Sequence, residues 1–466
     1  MEQHWNNIYT STIEEAVDRI GKIPGVVLGF HSTIDGLKRI EPEKVETALK
    51  EHAPKEQLPI EINDPADLMT GMLHGLIPGK ALQLMIRNEN TFRWLMEAFG
   101  YDELRMGGTS GNMANALSPL NFQKILVYAN PLTKEQAQLF NDDENLLVLK
   151  QDADGSFQLH HPHQAWEGEG IKALHWILEY PQGVEITTAQ GTITTPRANR
   201  YIAAWNPVNN KLQITETFKQ GLLATGDQFS HFIVSGFHIL SETYPDGSTY
   251  LDCLRPVADF LRELRQAHPH LKLHYEFASI ASSKIRKGIL TEIIPLVDSL
   301  GLNEVELVAL LKDLDAADLA SRIQEHNRIG EVLAGTVHLM KKLNINRIQL
   351  HDLGYYLCLT KPGFVTPSRT RQGLVLAATL AAARTKMGRI SGPQDIFTGL
   401  EVPLSQEGLD RLAELAELCG ESLAKEGTTT YEGFDLAYLP TKVVERPVLT
   451  VGLGDLISST GFILGT

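Results

Sequence analysis

The sequence predicts an α/β protein with a mostly parallel central sheet covered by helices and a second, β-rich part. Three observations carry this. Short apolar runs of strand type recur along the chain, and helical stretches lie between them, as parallel strands joined by crossovers require. Residues 172–218 break that rhythm: Thr, Ile and aromatic residues are punctuated by Gly, Pro and "NPVNN", the composition of antiparallel strands and hairpins. At 466 residues the chain exceeds the size at which one core stops growing, so two domains are expected.

Taken in order, the start "MEQHWNNIYTSTIEEAVDRIGKIPG" is polar and reads as an amphipathic helix rather than a signal peptide. Strands are expected in "GVVLGFH" (25–31), "KILVYAN" (124–130), "HFIVSGFHIL" (231–240), "LKLHYEFA" (271–278), "INRIQLH" (345–351) and "VLTVG" (448–452). Helices are expected in "LDCLRPVADFLRELRQAH", "IGEVLAGTVHLMKKL" and "LVLAATLAAARTKM". In such sheets ligands sit beyond the carboxyl ends of the strands. The β-rich insertion suits a lid over that edge, or equally a set of surface hairpins.

Composition narrows the function. Hydrophobic residues make up 43% and charged residues 21%, ordinary for a globular protein. Forty-two Lys and Arg against 57 Asp and Glu give −15 with no long block of one sign. This argues against a nucleic acid or membrane surface as partner and leaves room for a small anion. No apolar run approaches the ~18 residues of a membrane helix. Cys253, Cys358 and Cys419 are odd in number and widely spaced, which argues against a disulfide framework or a cysteine zinc site. A soluble, cytoplasmic protein is expected.

The motifs point to phosphate chemistry. In "VLTVGLGDLISSTGFILG" (448–465), Gly452 and Gly454 clear space for backbone N–H groups to approach an anion at a helix start. Asp455 beside them would repel that anion unless it had chemistry to do. When an alcohol attacks a phosphoryl group, a carboxylate must take the hydroxyl proton and donors must stabilise the transferring group. "GLGD" supplies both. "LKLHYEFAS" puts His274 and Glu276 on one strand face, and Glu276 suits magnesium, directly or through water, unless the strand is a solvated edge. In "SLGLNEVELVALLKDL" Asn303 and Glu306 have capping-box spacing, at a helix N-terminus where phosphate also fits. "RMGGTSGNMANAL" forms a compact glycine turn that can set Asn112 against a hydroxylated ligand. Arg197 and Arg200 in "TTPRANRYIAAW" can reach phosphate oxygens or stay in solvent. "IQLHDLGYYLCLT" offers His351 and Tyr356 to a flat base. "LHHPHQAW" holds three histidines with no partner ligand in sequence and reads as a surface loop.

Together these residues resemble the ADP-dependent sugar kinases, the glucokinase and phosphofructokinase group of the ribokinase-like superfamily. The resemblance rests on G-x-G-D at 452–455, H-x-E at 274–276 and N-x-x-E at 303–306, with "GGTSGNMAN" and "PRANRYI", in family order from Asp35 onward. It implies a ribokinase-like large domain over 1–30, 108–171 and 219–466, and a smaller lid from part of 31–107 and 172–218. It implies transfer of the terminal phosphate of ADP to a sugar hydroxyl, releasing AMP, with a magnesium ion, by a monomer or small homo-oligomer. By motif match Asp455 is the base, and with Glu276 and Glu306 it organises the metal. Gly452 and Gly454 frame the anion hole; Asp35, Gly111 and Asn112 face the sugar. Arg197 or Arg200 contacts nucleotide phosphate, and His351 and Tyr356 fall in the adenine region. "HSTID" stands where an asparagine-rich N-x-x-x-D is more typical. Glu89 and His175 look like glucose-type choices, and "YIAAWNPVNN" after Arg200 lacks another cation for a sugar phosphate. Glucose is therefore the expected acceptor, with fructose 6-phosphate, or both, as alternatives. The rivals are an ATP-dependent kinase of the same superfamily and a non-catalytic binding protein.

Overall fold

The computed structural model describes residues 1–449 and 451–466. Its larger sheet has eleven strands. Seven run parallel in the order Leu146–Gln151, Ile125–Val127, Val26–Gly29, His231–Val234, Lys272–Glu276, Ser299–Leu302 and Arg347–His351. Antiparallel strands extend both edges: Tyr355–Thr360, Phe434–Pro440 and Thr428–Tyr431 beyond Arg347–His351, and Phe157–His160 beyond Leu146–Gln151. The central strands are buried along their whole length, which is why they read as apolar runs without alternation. Helices Tyr250–Ala267, Ile329–Leu343 and Pro367–Met387 contain or match the helical stretches expected from sequence. The N-terminal helix Glu2–Ile20 sinks Trp5, Tyr9, Ile13, Ala16 and Ile20 into the same core. Among the described residues no helix is long and apolar enough to cross a membrane.

A second, five-stranded sheet has the order Leu82–Met85, Asn199–Trp205, Leu174–Tyr180, Thr33–Arg39 and Glu103–Gly107. Its own core joins Ile34, Leu174, Trp176 and Tyr201 to residues of helix Pro65–Leu76. After Trp205 the chain leaves this sheet, and Leu212, Ile214 and Phe218 pack in the larger core. Strand Val26–Gly29 leads within a few residues into Thr33–Arg39, so the carboxyl end of a central parallel strand opens onto the small sheet.

The C-terminal helix Leu453–Gly465 is fixed from below and from the side. Ser458 Oγ lies 2.9 Å from His274 Nε2, while Gln349 Nε2 donates to Ile457 O at 3.1 Å. Arg347 donates to Gly461 O at 3.1 Å. Arg19 donates to Leu464 O and Lys272 to Thr466 O, both at 2.6 Å. The last two bonds satisfy carbonyls at the helix end, which have no intrahelical donor. Against helix Pro367–Met387 the backbones nearly touch: a Cβ on Gly373 would stand 2.5 Å from Gly465 N and 2.7 Å from Gly461 O.

The strand expected at 448–452 is not formed by its described residues; Thr450 lies outside them. Val448 gives its N–H to Thr385 O (2.9 Å) at the end of helix Pro367–Met387, and Val451 and Gly452 form a turn. Val448 is exposed, and Val448, Leu449 and Val451 line the cleft between the sheets instead of a sheet ladder.

Gly373→Ala should destabilise the protein by about 1–3 kcal/mol, because only backbone faces the new methyl. It should also lower turnover by displacing the helix that carries Asp455. An unchanged melting temperature would show that the two helices can part at no cost.

Candidate active site

A cleft of about 880 Å³ lies between the two sheets, lined by Asp35, Arg105, His175 and Arg200 from the small sheet and by Asn112, Arg384, Gly452 and Asp455 from the large one. Gly452, with φ of 69°, turns the chain into the C-terminal helix, a left-handed conformation that suits glycine. Helix geometry leaves the N–H groups of Leu453, Gly454 and Asp455 without intrahelical acceptors, a ready anion site. Burial lifts the Asp455 carboxyl to about 7, against an opposing pull from Arg384. Arg384 came unnoticed from the sequence, where it sits in an alanine-rich helix. One of its terminal nitrogens (Nη1) is buried without a hydrogen-bond partner.

Two further carboxylates share this charge environment. Glu276 and His274 are buried on a central strand, not exposed at an edge. His274 is clasped by Ser299 Oγ and Ser458 Oγ, each at 2.9 Å. Burial raises the Glu276 carboxyl well above its usual range, and the negative charges of Asp455 and Glu306 add to this. Glu306 does form the capping box: its Oε2 accepts from Asn303 N at 2.9 Å, and Asn303 Oδ1 accepts from Glu306 N at 3.0 Å. Burial still pushes its carboxyl to about 8, and the Asp455 charge adds to the rise. The oxygens of these three side chains do not all come within 4.8 Å of one another.

The opposite wall is a cage of unsatisfied polar atoms. Asp35 Oδ1, both ring nitrogens of His31, His175 Nε2 and His238 Nδ1 are buried with no partner. His31 stacks near His175 and His238, ring centroids 5.4 and 5.1 Å away. Burial holds all three imidazoles neutral, His175 down to about 3 and His238 to about 4. Burial lifts Asp35 to about 7, against the pull of Arg200 and then Arg105. His31 and His238 were missed in sequence because each is a lone histidine in an apolar run; only their convergence from two strand ends marks them.

Other expected site residues lie elsewhere. Glu89 is exposed at a helix start and pairs with Arg93 (2.6 Å), as i,i+4 spacing favours, so it does not line the cleft. Arg197 donates to Gly79 O at 2.7 Å; Arg200 is the arginine in the cleft. Gly111 packs tightly on Met106, and Asn112 is the residue that reaches the cleft. His351 backs Gly454, where a Cβ would stand 3.1 Å from its Nε2. Tyr356, opposite His351 in the antiparallel ladder, is buried in the core, and burial raises its phenol pKa. A second arginine of the small sheet, Arg105, also lines the cleft, its guanidinium paired with Glu103 at 2.7 and 2.8 Å.

Comparison with known proteins agrees with this arrangement. Residues 24–464 match the ADP-specific Phosphofructokinase/Glucokinase conserved region. The ADP-specific phosphofructokinase of Methanosarcina acetivorans is 32% identical over 99% of this chain and 97% of its own length. The ADP-dependent glucose/glucosamine kinase of Pyrococcus abyssi is also 32% identical, over 98% of each chain. Among solved structures, the last common ancestor of ADP-dependent phosphofructokinases from Methanosarcinales superposes with a TM-score of 0.88 at 32% identity, over 100% of this chain and 98% of that one. An ADP-dependent kinase in complex with fructose-6-phosphate and ADPβS gives 0.86 at 32%, over 99% and 97%.

The electrostatics sets a pH dependence of stability. With Asp35 and Asp455 near 7 and Glu306 near 8, the folded protein holds protons that the unfolded chain releases near pH 4. The stability these groups contribute is complete in acid and is lost as pH rises through about 7 to 8. Melting curves of the metal-free protein should therefore fall less between pH 5 and pH 8 for Asp455→Asn than for the parent. Parallel profiles would mean that Asp455 ionises normally.

Proposed function

The chain belongs to the ADP-specific phosphofructokinase/glucokinase family, and from that premise we propose that it phosphorylates a hexose in the cleft between its sheets, with fructose 6-phosphate as an acceptor. It is an ADP-dependent sugar kinase. The acceptor reading rests on one observation: Arg105 and Arg200 flank Asp35 on the sugar-facing wall, close enough that both lower its carboxyl pKa. Guanidinium groups there match a sugar phosphate in charge and shape. The solved kinase that carries fructose-6-phosphate and ADPβS supports the same reading. Glucose remains the second reading, favoured by the neutral His175 beside Asp35 (3.6 Å) and by the glucose/glucosamine kinase relative.

In this assignment Asp35 and the imidazoles of His31, His175 and His238 hold the sugar hydroxyls, each neutral ring offering one donor and one acceptor. Asp455 receives the proton of the attacking hydroxyl as that oxygen bonds to the terminal phosphorus of ADP and the bond to the AMP oxygen breaks. The N–H groups of Leu453 and Gly454, with Arg384, meet the charge on the transferring group. A carboxyl near 7 suits a base that must be ionised yet still accept a proton at neutral pH. Glu276 and Glu306 provide hard oxygen donors for magnesium, and because the acidic side chains do not converge on one point, we assign them to the waters of the ion. Such an ion neutralises phosphate charge during transfer. His351 behind Gly454 marks the nucleotide side of the cleft. The small sheet is the lid that excludes water over the bound sugar.

AMP release from ADP with fructose 6-phosphate or glucose in separate reactions tests the acceptor; AMP with glucose alone would overturn the sugar-phosphate reading. Arg105→Met should raise the KM for fructose 6-phosphate roughly 10- to 100-fold, the worth of a charged hydrogen bond, and leave that for glucose unchanged. Asp455→Asn should lower kcat by ~10²- to 10⁴-fold with little change in sugar binding, and near-normal turnover would remove it as the base.

A further inference from the structure

The histidine cluster read from sequence as a surface loop gains a partner in the fold. His161 caps the short helix Pro162–Ala165 and His163 lies within it, and Asp142 comes beside them from a loop that follows the cleft wall. We infer that Asp142, His161 and His163 form a binding site for one zinc-type transition-metal ion, distinct from the phosphoryl-transfer site.

Two imidazole nitrogens and a carboxylate oxygen are a donor set that suits zinc and its neighbours rather than magnesium. Asp142 Oδ1 lies 3.4 Å from His163 Nδ1 and 3.8 Å from His161 Nε2, and all three donor atoms lie within 4.8 Å of one another. Bonds of about 2.1 Å at tetrahedral angles put ligand atoms about 3.4 Å apart. One edge of the tetrahedron is thus already at that spacing, and the others close by small side-chain shifts.

For His163 the second layer is set as a metal-bound histidine needs. His163 Nε2 donates to Phe140 O at 3.0 Å, which leaves its Nδ1 lone pair facing the Asp142 carboxylate. The 3.4 Å contact is closed by a proton on Nδ1 or by a metal ion in the same place, and a carbonyl on the far nitrogen is the usual means of fixing a ligating ring. His161 Nε2 is buried with no partner. Its Nδ1 accepts only a long 3.3 Å bond from His163 N, which ion binding gives up as the ring proton moves to Nδ1. The neighbouring Asp143 is engaged by Ser118 Oγ at 2.7 Å and does not compete. Asp142 is 87% exposed, so the fourth position opens to water.

The site also touches the cleft. Leu139, Phe140 and Asn141 line it, Phe140 supplies the carbonyl that orients His163, and Asn141 N is held by Asn115 Oδ1 at 2.9 Å. An ion that ties Asp142 to the histidines restrains this wall.

The test is calorimetric titration of the whole protein with zinc under saturating magnesium, with X-ray absorption at the zinc edge. One site per chain is expected, with two imidazole ligands, and it should persist in Asp455→Asn. His163→Ala and the exposed, structurally mild Asp142→Asn should each weaken zinc at least about tenfold, with melting curves to confirm folding. Equal zinc affinity in Asp142→Asn and in a His161→Gln/His163→Gln variant that melts normally would overturn the site. So would the absence of binding in the parent, or loss of the zinc in Asp455→Asn with retention in the histidine variants.

Discussion

The place of Asp455, which we assign as the base, hangs on how the C-terminal helix is moored. Arg347 is fully buried beneath it and reaches Ser299 Oγ at 2.9 Å, Gly461 O at 3.1 Å and the side chain of Gln349, with its guanidinium 5.7 Å from the Phe462 ring centre. Stripping a guanidinium of water costs several kcal/mol unless its donors are met; burial accordingly pulls its pKa down. The protein accepts that cost in a position where an apolar side chain would pack but would not set a helix register. His274 does the same two strands over through Ser458. Asp455 thus stands on a helix located by polar groups from two sheet strands, Lys272–Glu276 and Arg347–His351, on either side of Ser299–Leu302.

The charge balance of the site is deliberately poor in the ligand-free protein. Asp455 adds to the proton affinity of both Glu276 and Glu306, Glu306 adds to that of Glu276, and Arg384 is the cation that acts on Asp455. Clustered carboxyls with raised pKa values are a common mark of a functional site, since a structural role would pair or expose them. A cation with an attached polyphosphate reverses the imbalance. That makes binding and ionisation of the base the same event seen from two sides.

Much of this was legible in the sequence. The parallel sheet declared itself because its strands are buried on both faces, and "GLGD", H-x-E and N-x-x-E marked the carboxylates that the fold buries near one another because each is local. The apolar run at 448–452 misled because lining a cleft and pairing in a sheet can use the same side chains. Glu89 misled because an acidic residue at a helix start with Arg93 one turn on looks no different from a ligand. Arg105, His31 and His238 stayed hidden because their meaning is a meeting of distant segments. Asp142 with His161 and His163 stayed hidden for the same reason.

The two walls of the cleft are built by different sheets, and this has an evolutionary consequence. Of the residues we assign to the acceptor, Asp35, Arg105, His175 and Arg200 stand on the small sheet, with a hydrophobic core of its own, while His31 and His238 follow strands of the large one. Asp455, the glycine turn and the acidic cluster belong to the large sheet as well. A substitution among the small-sheet residues therefore leaves those groups in place. A lineage can drift between acceptors through intermediates that never lose phosphoryl transfer. Relatives equally distant from this chain that carry different sugar names are what such modularity would leave behind.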